Sequence, residues 1–301
     1  MVNFLIIGIC MIAGMLFRKS GSLPADAHKG INAWIIYLAL PAVSFKYLPH
    51  IQWSTNLIVP AVAPVLVWLG AWLTMRLYAV IKKLDKKTEG GLKLAAGLSN
   101  TTFIGFPLIA AYYGEQLLGI AIIYDQVNFM ILATAGVIVA VHSSKKEALT
   151  PAVILRRIFK FPPFLGCIAA LTLPHFFDIS PLDPLFTKLA ATVGPLALFS
   201  IGFQIKLDGW RRNLSHISVA LFYKLIVSPA IVFIFILVMG VRGSIAQVSV
   251  FEAAMPTLLT AGIVADEYDL DPQVVNLVIG IGILLSFLTT AGWWLILRFV
   301  S

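Results

Sequence analysis

The sequence predicts an all-α polytopic membrane protein, with ten transmembrane helices arranged as two inverted five-helix repeats. Three observations carry this. First, 59% of the 301 residues are hydrophobic and only 12% are charged, with a mean hydropathy of +0.93. A soluble domain carries about 25% charged residues, so this chain cannot cover a water-facing globule. Second, the apolar residues lie in long continuous runs, not in the alternating segments of about ten residues that build a transmembrane barrel. Third, short motifs recur in order, five spans apart. A soluble enzyme, a nucleic-acid binder and a disordered chain are excluded. The formal net charge of +8 reads as membrane topology, not as a phosphate-binding patch.

A span needs ~20 residues to cross ~30 Å of hydrocarbon. Ten runs qualify: 2–17, 30–48, 57–81, 91–112, 117–141, 152–174, 184–205, 214–239, 244–265 and 272–299. The first is short for a span. It does not read as a secretory signal, because no positive residue precedes it and Arg18-Lys19 follow it. The first repeat covers 1–141 and the second 152–301. Cys10 and Cys167 lie inside apolar runs and read as small core residues.

Basic residues cluster in alternate loops. Arg18, Lys19 and Lys29 follow span one; Lys82, Lys83, Lys86 and Lys87 follow span three. Lys145, Lys146, Arg156 and Arg157 follow span five, and Lys206, Arg211 and Arg212 follow span seven. The intervening loops carry no Lys or Arg except Arg242. The positive-inside rule then puts those basic loops in the cytoplasm and both termini outside the cell membrane. The acidic turn Asp266–Asp271 lies on the cytoplasmic side; the rule counts Lys and Arg rather than acids, and the turn reads as solvated.

The internal repeat shows in two pairs. Leu40-Pro41-Ala42-Val43-Ser44-Phe45 in span two resembles Gly194-Pro195-Leu196-Ala197-Leu198-Phe199 in span seven. Phe106-Pro107-Leu108 in span four corresponds to Met255-Pro256-Thr257 in span nine. A five-span unit crosses an odd number of times, so its copies are inverted. Inverted repeats mark secondary transporters, with substrate at the midplane where helices are broken.

Spans four and nine read as those broken helices. Pro107 and Pro256 each stand well inside an apolar run, and proline removes a backbone donor and clashes with the carbonyl four residues back. Ser99, Asn100, Thr101 and Thr102 are four consecutive small polar residues in mid-span. Glu252 is ionisable at membrane depth, which makes it a functional candidate by default. Its charged form is costly there, so it is a candidate to carry a proton together with an anion; the bland alternative is a carboxyl that holds the kink through a freed N–H. Half-helix N-termini at such breaks carry positive partial charge and suit an anion.

These residues also carry a family resemblance. Asn100-Thr101 through Gly105-Phe106-Pro107-Leu108, then Ala111-Tyr112-Tyr113-Gly114, resembles the auxin efflux carrier family. Pro41-Ala42-Val43-Ser44-Phe45-Lys46, Ala197-Leu198-Phe199-Ser200-Ile201-Gly202 and Ala254-Met255-Pro256 with Ala265-Asp266-Glu267-Tyr268 resemble its second-, seventh- and ninth-helix motifs, in order along the chain. The long hydrophilic middle loop of plant auxin exporters is absent, as in a compact bacterial-type member. Where the family often has Asn-Pro entering its sixth helix, this chain has Phe161-Pro162.

The resemblance implies a bile-acid-symporter-like fold in which helices four and nine cross at Pro107 and Pro256. It implies a homodimer built on scaffold helices 2–17, 30–48, 152–174 and 184–205, against which the remaining six helices move as an elevator. Its substrates would be small organic anions such as carboxylates or auxin-like acids, coupled to a proton or sodium, with Asn100 in contact with the substrate. Substrate-binding candidates are Asn100, Thr101, Thr102, Pro107, Met255, Pro256, Thr257, Ser44, Lys46 and Gln204; ion-coupling candidates are Glu252, Asp125 and Asn128.

The remaining constellations are weak. Lys46 near the outer end of span two either snorkels or lines the site, and Lys224 in span eight reads as snorkelling or paired. The five histidines lack metal-ligand spacing, and no phosphate-cradling Walker loop is present, so neither a metal nor a cofactor is expected. A membrane-embedded enzyme and a channel or receptor scaffold remain as competing readings. No nucleophile stands with a recognisable base, which weighs against the first.

Overall fold

The structure is a computed structural model that describes residues 2–144, 150, 152, 155, 158–205 and 210–299. Lys145, Lys146, Arg156, Arg157 and Lys206, counted above for topology, lie outside the described residues, as does most of the predicted 142–151 loop beyond residue 144. The described residues are helical throughout, with one isolated bridge between extended segments and no strand.

The helices follow the predicted runs. We number them α1 Val2–Ser20, α2 Ala27–His50, α3 Thr55–Lys82, α4 Lys86–Gly97, α5 Thr101–Tyr112 and α6 Glu115–Ser144. After these come α7 Pro162–Thr172, α8 Ser180–Gln204, α9 Leu214–Met239, α10 Gly243–Ala253, α11 Leu259–Tyr268 and α12 Pro272–Leu297. Among the described residues, seven of them (α1, α2, α3, α6, α8, α9 and α12) are long and apolar enough to cross a membrane. The predicted spans 91–112 and 244–265 are instead two short helices each, α4 with α5 and α10 with α11, and in the predicted span 152–174 the chain is extended at Phe161, so α7 starts only at Pro162 and is 11 residues long.

Local sequence explains the ends. Asp85 caps α4 by accepting from the Thr88 N–H at 2.7 Å, which satisfies one orphan donor of the first turn. Gly240, with φ of 66°, ends α9 in the left-handed region that glycine enters without steric cost. Asp271 caps α12 through Val274 N–H and accepts from Thr88 Oγ1 at 3.1 Å, while Asp269 pairs with Lys87. The acidic turn is therefore tied to the start of α4.

Three prolines each follow a π-helical turn at the same distance. Ile35–Ala39 precedes Pro41, Thr101–Gly105 precedes Pro107, and Tyr223–Val227 precedes Pro229. A helical proline clashes with the carbonyl four residues back. In all three cases that residue (Tyr37, Phe103 or Leu225) lies inside the widened turn, where the ladder is already shifted by one residue.

The chain divides into two compact units. One comprises Met1–Trp53, Thr102–Ile122 and Leu155–Ile205. Within it α1 and α8 touch backbone to backbone: a Cβ on Gly14 would stand 2.1 Å from the Phe199 carbonyl oxygen, and one on Gly202 would stand 2.1 Å from that of Met11. Small residues permit such approach where lipid supplies no hydrophobic drive. Helix α2 meets α7 through Gly166 against Pro41 and a Ser44–Cys167 hydrogen bond of 3.1 Å. The other unit comprises Ser54–Thr101, Ile123–Ile154 and Lys206–Ser301. There the Tyr223 hydroxyl donates to the Val67 carbonyl at 2.6 Å, and Trp293 Nε1 donates to that of Leu225 at 3.0 Å.

Candidate functional site

The second unit holds both helix breaks, and they pair with each other. Helix α4 stops at Gly97 and Leu98 turns extended, with φ of −111° and ψ of 128°. Helix α10 stops at Ala253, and the chain is extended again at Leu258. Ser99 and Thr257 form an antiparallel bridge. Asn100 N–H donates to the Pro256 carbonyl at 2.7 Å, and Leu258 N–H donates to the Leu98 carbonyl at 3.1 Å. Thr257 Oγ1 donates to the Ala95 carbonyl at 2.6 Å. An interrupted helix strands donors and acceptors that cost several kcal/mol each in hydrocarbon, and here each break satisfies the other.

The first break needs no proline. It falls at Leu98–Asn100, not at the predicted crossing residue Pro107, which stands further along, after the π turn of α5. Ser, Asn and Thr offer the backbone side-chain alternatives to the helical ladder. Asn128 supplies one such alternative: its Oδ1 accepts from Ser99 N–H at 3.2 Å and its Nδ2 donates to the Ser99 carbonyl at 2.9 Å. The second break does centre on its proline, Pro256.

A polar cluster lies around the pair. Ser99, Asn100, Thr101, Lys224, Ser228, Glu252 and Thr257 are all 0% exposed. Thr101 Oγ1 donates to Asp125 Oδ1, and Gln126 Nε2 reaches Asp125 Oδ2 at 3.3 Å. Lys224 Nζ donates to Ser99 Oγ at 2.7 Å, to the Ala253 carbonyl at 3.1 Å and to Ser228 Oγ at 3.4 Å. Neither carboxyl oxygen of Glu252 has a hydrogen-bond partner among the described residues. The group interacts electrostatically with Lys224 and Asp125.

The whole chain resembles known transporters. The sequence pattern of the family described as membrane transport protein matches residues 1–294. The chain belongs to this family, that of the auxin efflux carriers. An uncharacterised transporter of Methanocaldococcus jannaschii is 26% identical over 98% of this chain and 98% of its own length. A protein of Rhizobium meliloti named for malonate transport is 26% identical over 95% of this chain and 92% of its own. A protein of Oryza sativa named as an auxin efflux carrier component is 28% identical over 35% of this chain and 30% of its own. This auxin efflux carrier family member is a membrane transporter, not an enzyme.

In this transporter the candidates fall into two groups. Asn100, Thr101, Met255, Pro256, Thr257, Glu252, Asp125 and Asn128 come together at the breaks. Ser44, Lys46, Thr102, Pro107 and Gln204 belong to the first unit. There Lys46 Nζ pairs with Glu115 Oε2 at 3.1 Å, and the Tyr47 hydroxyl donates to the same oxygen at 2.8 Å. Tyr47, Glu115, Phe106, Pro107 and Pro195 help to line a cavity of about 250 Å³ in that unit. Ser44 bonds Cys167 and the Leu40 carbonyl, and Gln204 Nε2 bonds Ser200.

Lys224, Ser99 and Ser228 were not among the sequence candidates. Of the two readings for Lys224, snorkelling or paired, the paired one holds: it is fully buried and donates to Ser99 at the first break and to the Ala253 carbonyl at the second. The legible signal was its spacing, one turn before Ser228-Pro229 inside an otherwise apolar run.

Proposed function

We propose that this transporter is a secondary carrier of small organic anions across the cytoplasmic membrane, with the paired breaks as its substrate and coupling site. The observation that carries the reading is the bridge between Ser99 and Thr257 inside a fully buried polar cluster. Non-helical backbone at membrane depth persists where it is enclosed in protein or lines a site. Helix α5 starts at Thr101 and α11 at Leu259, directly after the paired segments. Their N-termini bring positive partial charge to the break, which suits a carboxylate. The relative named for malonate transport points to the same chemistry.

In this reading the ten predicted spans form two inverted repeats, and both termini lie outside. The 2–17, 30–48, 152–174 and 184–205 helices form the dimeric scaffold, and the other six move as an elevator. Asn100, Thr101, Met255 and Thr257 border the substrate. Glu252 carries the coupling proton, faced by Asp125 from α6 and Lys224 from α9. In support, its carboxyl oxygens have no hydrogen-bond partner among the described residues.

Counterflow in proteoliposomes tests the proposal. Vesicles preloaded with malonate should take up labelled malonate saturably, and external unlabelled dicarboxylate should compete. A linear, non-saturating flux would instead indicate a channel; the absence of any flux or binding across mono- and dicarboxylates would leave a receptor scaffold.

A further inference from the structure

Lys224 is the one lysine of this chain with no exposed surface among the described residues, and its surroundings are unusual for a buried lysine. An ammonium has three N–H donors and no acceptor. Lys224 Nζ meets three oxygens: Ser99 Oγ, the Ala253 carbonyl and Ser228 Oγ. Ser228 Oγ donates its own hydrogen to the Ala253 carbonyl at 2.9 Å, so toward Lys224 it acts as an acceptor. The partner count is that of a complete ammonium shell.

The origin of the oxygens matters more than their number. Ser99 belongs to the first break, and Ala253 is the last residue of α10 at the second. In carriers with broken helices, unwound carbonyls and the C-terminal ends of half-helices are the groups that coordinate a free sodium ion. Here the Lys224 ammonium meets such a half-helix end, the Ala253 carbonyl. The π turn Tyr223–Val227 brings Lys224 and Ser228 to the same point. Tyr223, bonded to Val67, and Leu225, bonded by Trp293, fix that turn on either side of the lysine. Glu252, adjacent in sequence to Ala253, interacts electrostatically with Lys224 and with Asp125.

We propose that Lys224 is a tethered cation: its ammonium fills an oxygen cage that would otherwise suit a free sodium ion, so the paired breaks hold together and the carrier cycles without sodium. Removing the side chain would leave Ser99 Oγ, Ser228 Oγ and the Ala253 carbonyl as an open site for a small monovalent cation. The proposal rests on the breaks being the working part of the transporter, but not on the identity of the anion.

The test compares wild type, K224A and K224M in sodium chloride and in choline chloride at equal ionic strength. Two readouts are used: the melting temperature of the purified protein, and malonate counterflow. Wild type should show the same melting temperature and the same flux in both salts. K224A should melt lower in choline and recover part of the loss in sodium. K224M keeps the apolar stem, lacks the charge and blocks the cage; it should stay folded, ignore sodium and lose at least ~10-fold in flux. A sodium requirement in wild type, wild-type flux in K224M, or a K224A melting temperature indifferent to sodium overturns the assignment. The melting arm uses no substrate, so a failure of malonate to be carried is distinguished from a failure of the cation role.

Discussion

Asn100 and Pro256 lie far apart in the chain, yet the N–H of the first donates to the carbonyl of the second across 2.7 Å. This contact and its companion from Leu258 to Leu98 turn two interrupted helices into one short antiparallel crossing. A broken helix alone in hydrocarbon is costly; two that break at matched depth stabilise each other. The polar side chains above and below the crossing then stand at a place where lipid does not reach, which is where a carrier keeps its substrate and coupling groups.

Asn100→Ala should weaken anion binding while leaving membrane insertion unchanged. Its backbone bond to Pro256 survives the substitution, so the crossing stays closed. Loss of a buried hydrogen-bonding group costs ~1–3 kcal/mol, or roughly 5- to 150-fold in affinity. Isothermal titration with the transported carboxylate checks this. Unchanged affinity would remove the Asn100 side chain from the site.

Glu252→Gln separates a proton carrier from a structural carboxyl. An ionised Glu252 repels an anion, so protonation and substrate binding should favour each other. Wild-type binding should therefore strengthen as pH falls through the range in which Glu252 takes up its proton. The glutamine variant should bind with a flat profile and still catalyse exchange. Identical pH profiles in the two proteins would assign Glu252 a structural role.

Gly202→Ala should destabilise the α1–α8 contact. Its Cβ would stand 2.1 Å from the Met11 carbonyl oxygen, and only a backbone shift relieves that; overpacking of this kind costs about 1–3 kcal/mol. Gly8→Ala, on α1 but with nothing within 4 Å of its Cβ among the described residues, is the control. Melting temperatures in detergent should fall for the first and hold or rise slightly for the second.

Position 86 should be shielded from the outside. A single cysteine there, in a background lacking Cys10 and Cys167, should resist a membrane-impermeant thiol reagent in intact cells and react once the membrane is opened. Strong labelling in intact cells would reverse the proposed orientation of both termini.

Composition and periodicity sufficed for much of this. Low charge and long apolar runs dictate a polytopic membrane protein because hydrocarbon tolerates little else, and the run boundaries lie close to the observed helix ends, as at 57–81 against Thr55–Lys82. Pro256 marked the second break, because a missing N–H is a local property. What the sequence could not determine depends on partners distant in the chain. The first break lies at Leu98–Asn100 rather than at Pro107, since its stability comes from Pro256, Leu258 and Asn128, while the π turn of α5 accommodates the proline. Whether Lys224 reached for the membrane surface or for the core was likewise undecidable from its neighbours in sequence. Only the folded chain brings Ser99, Ser228 and the Ala253 carbonyl to its ammonium, and a buried charge stays buried only where such partners converge.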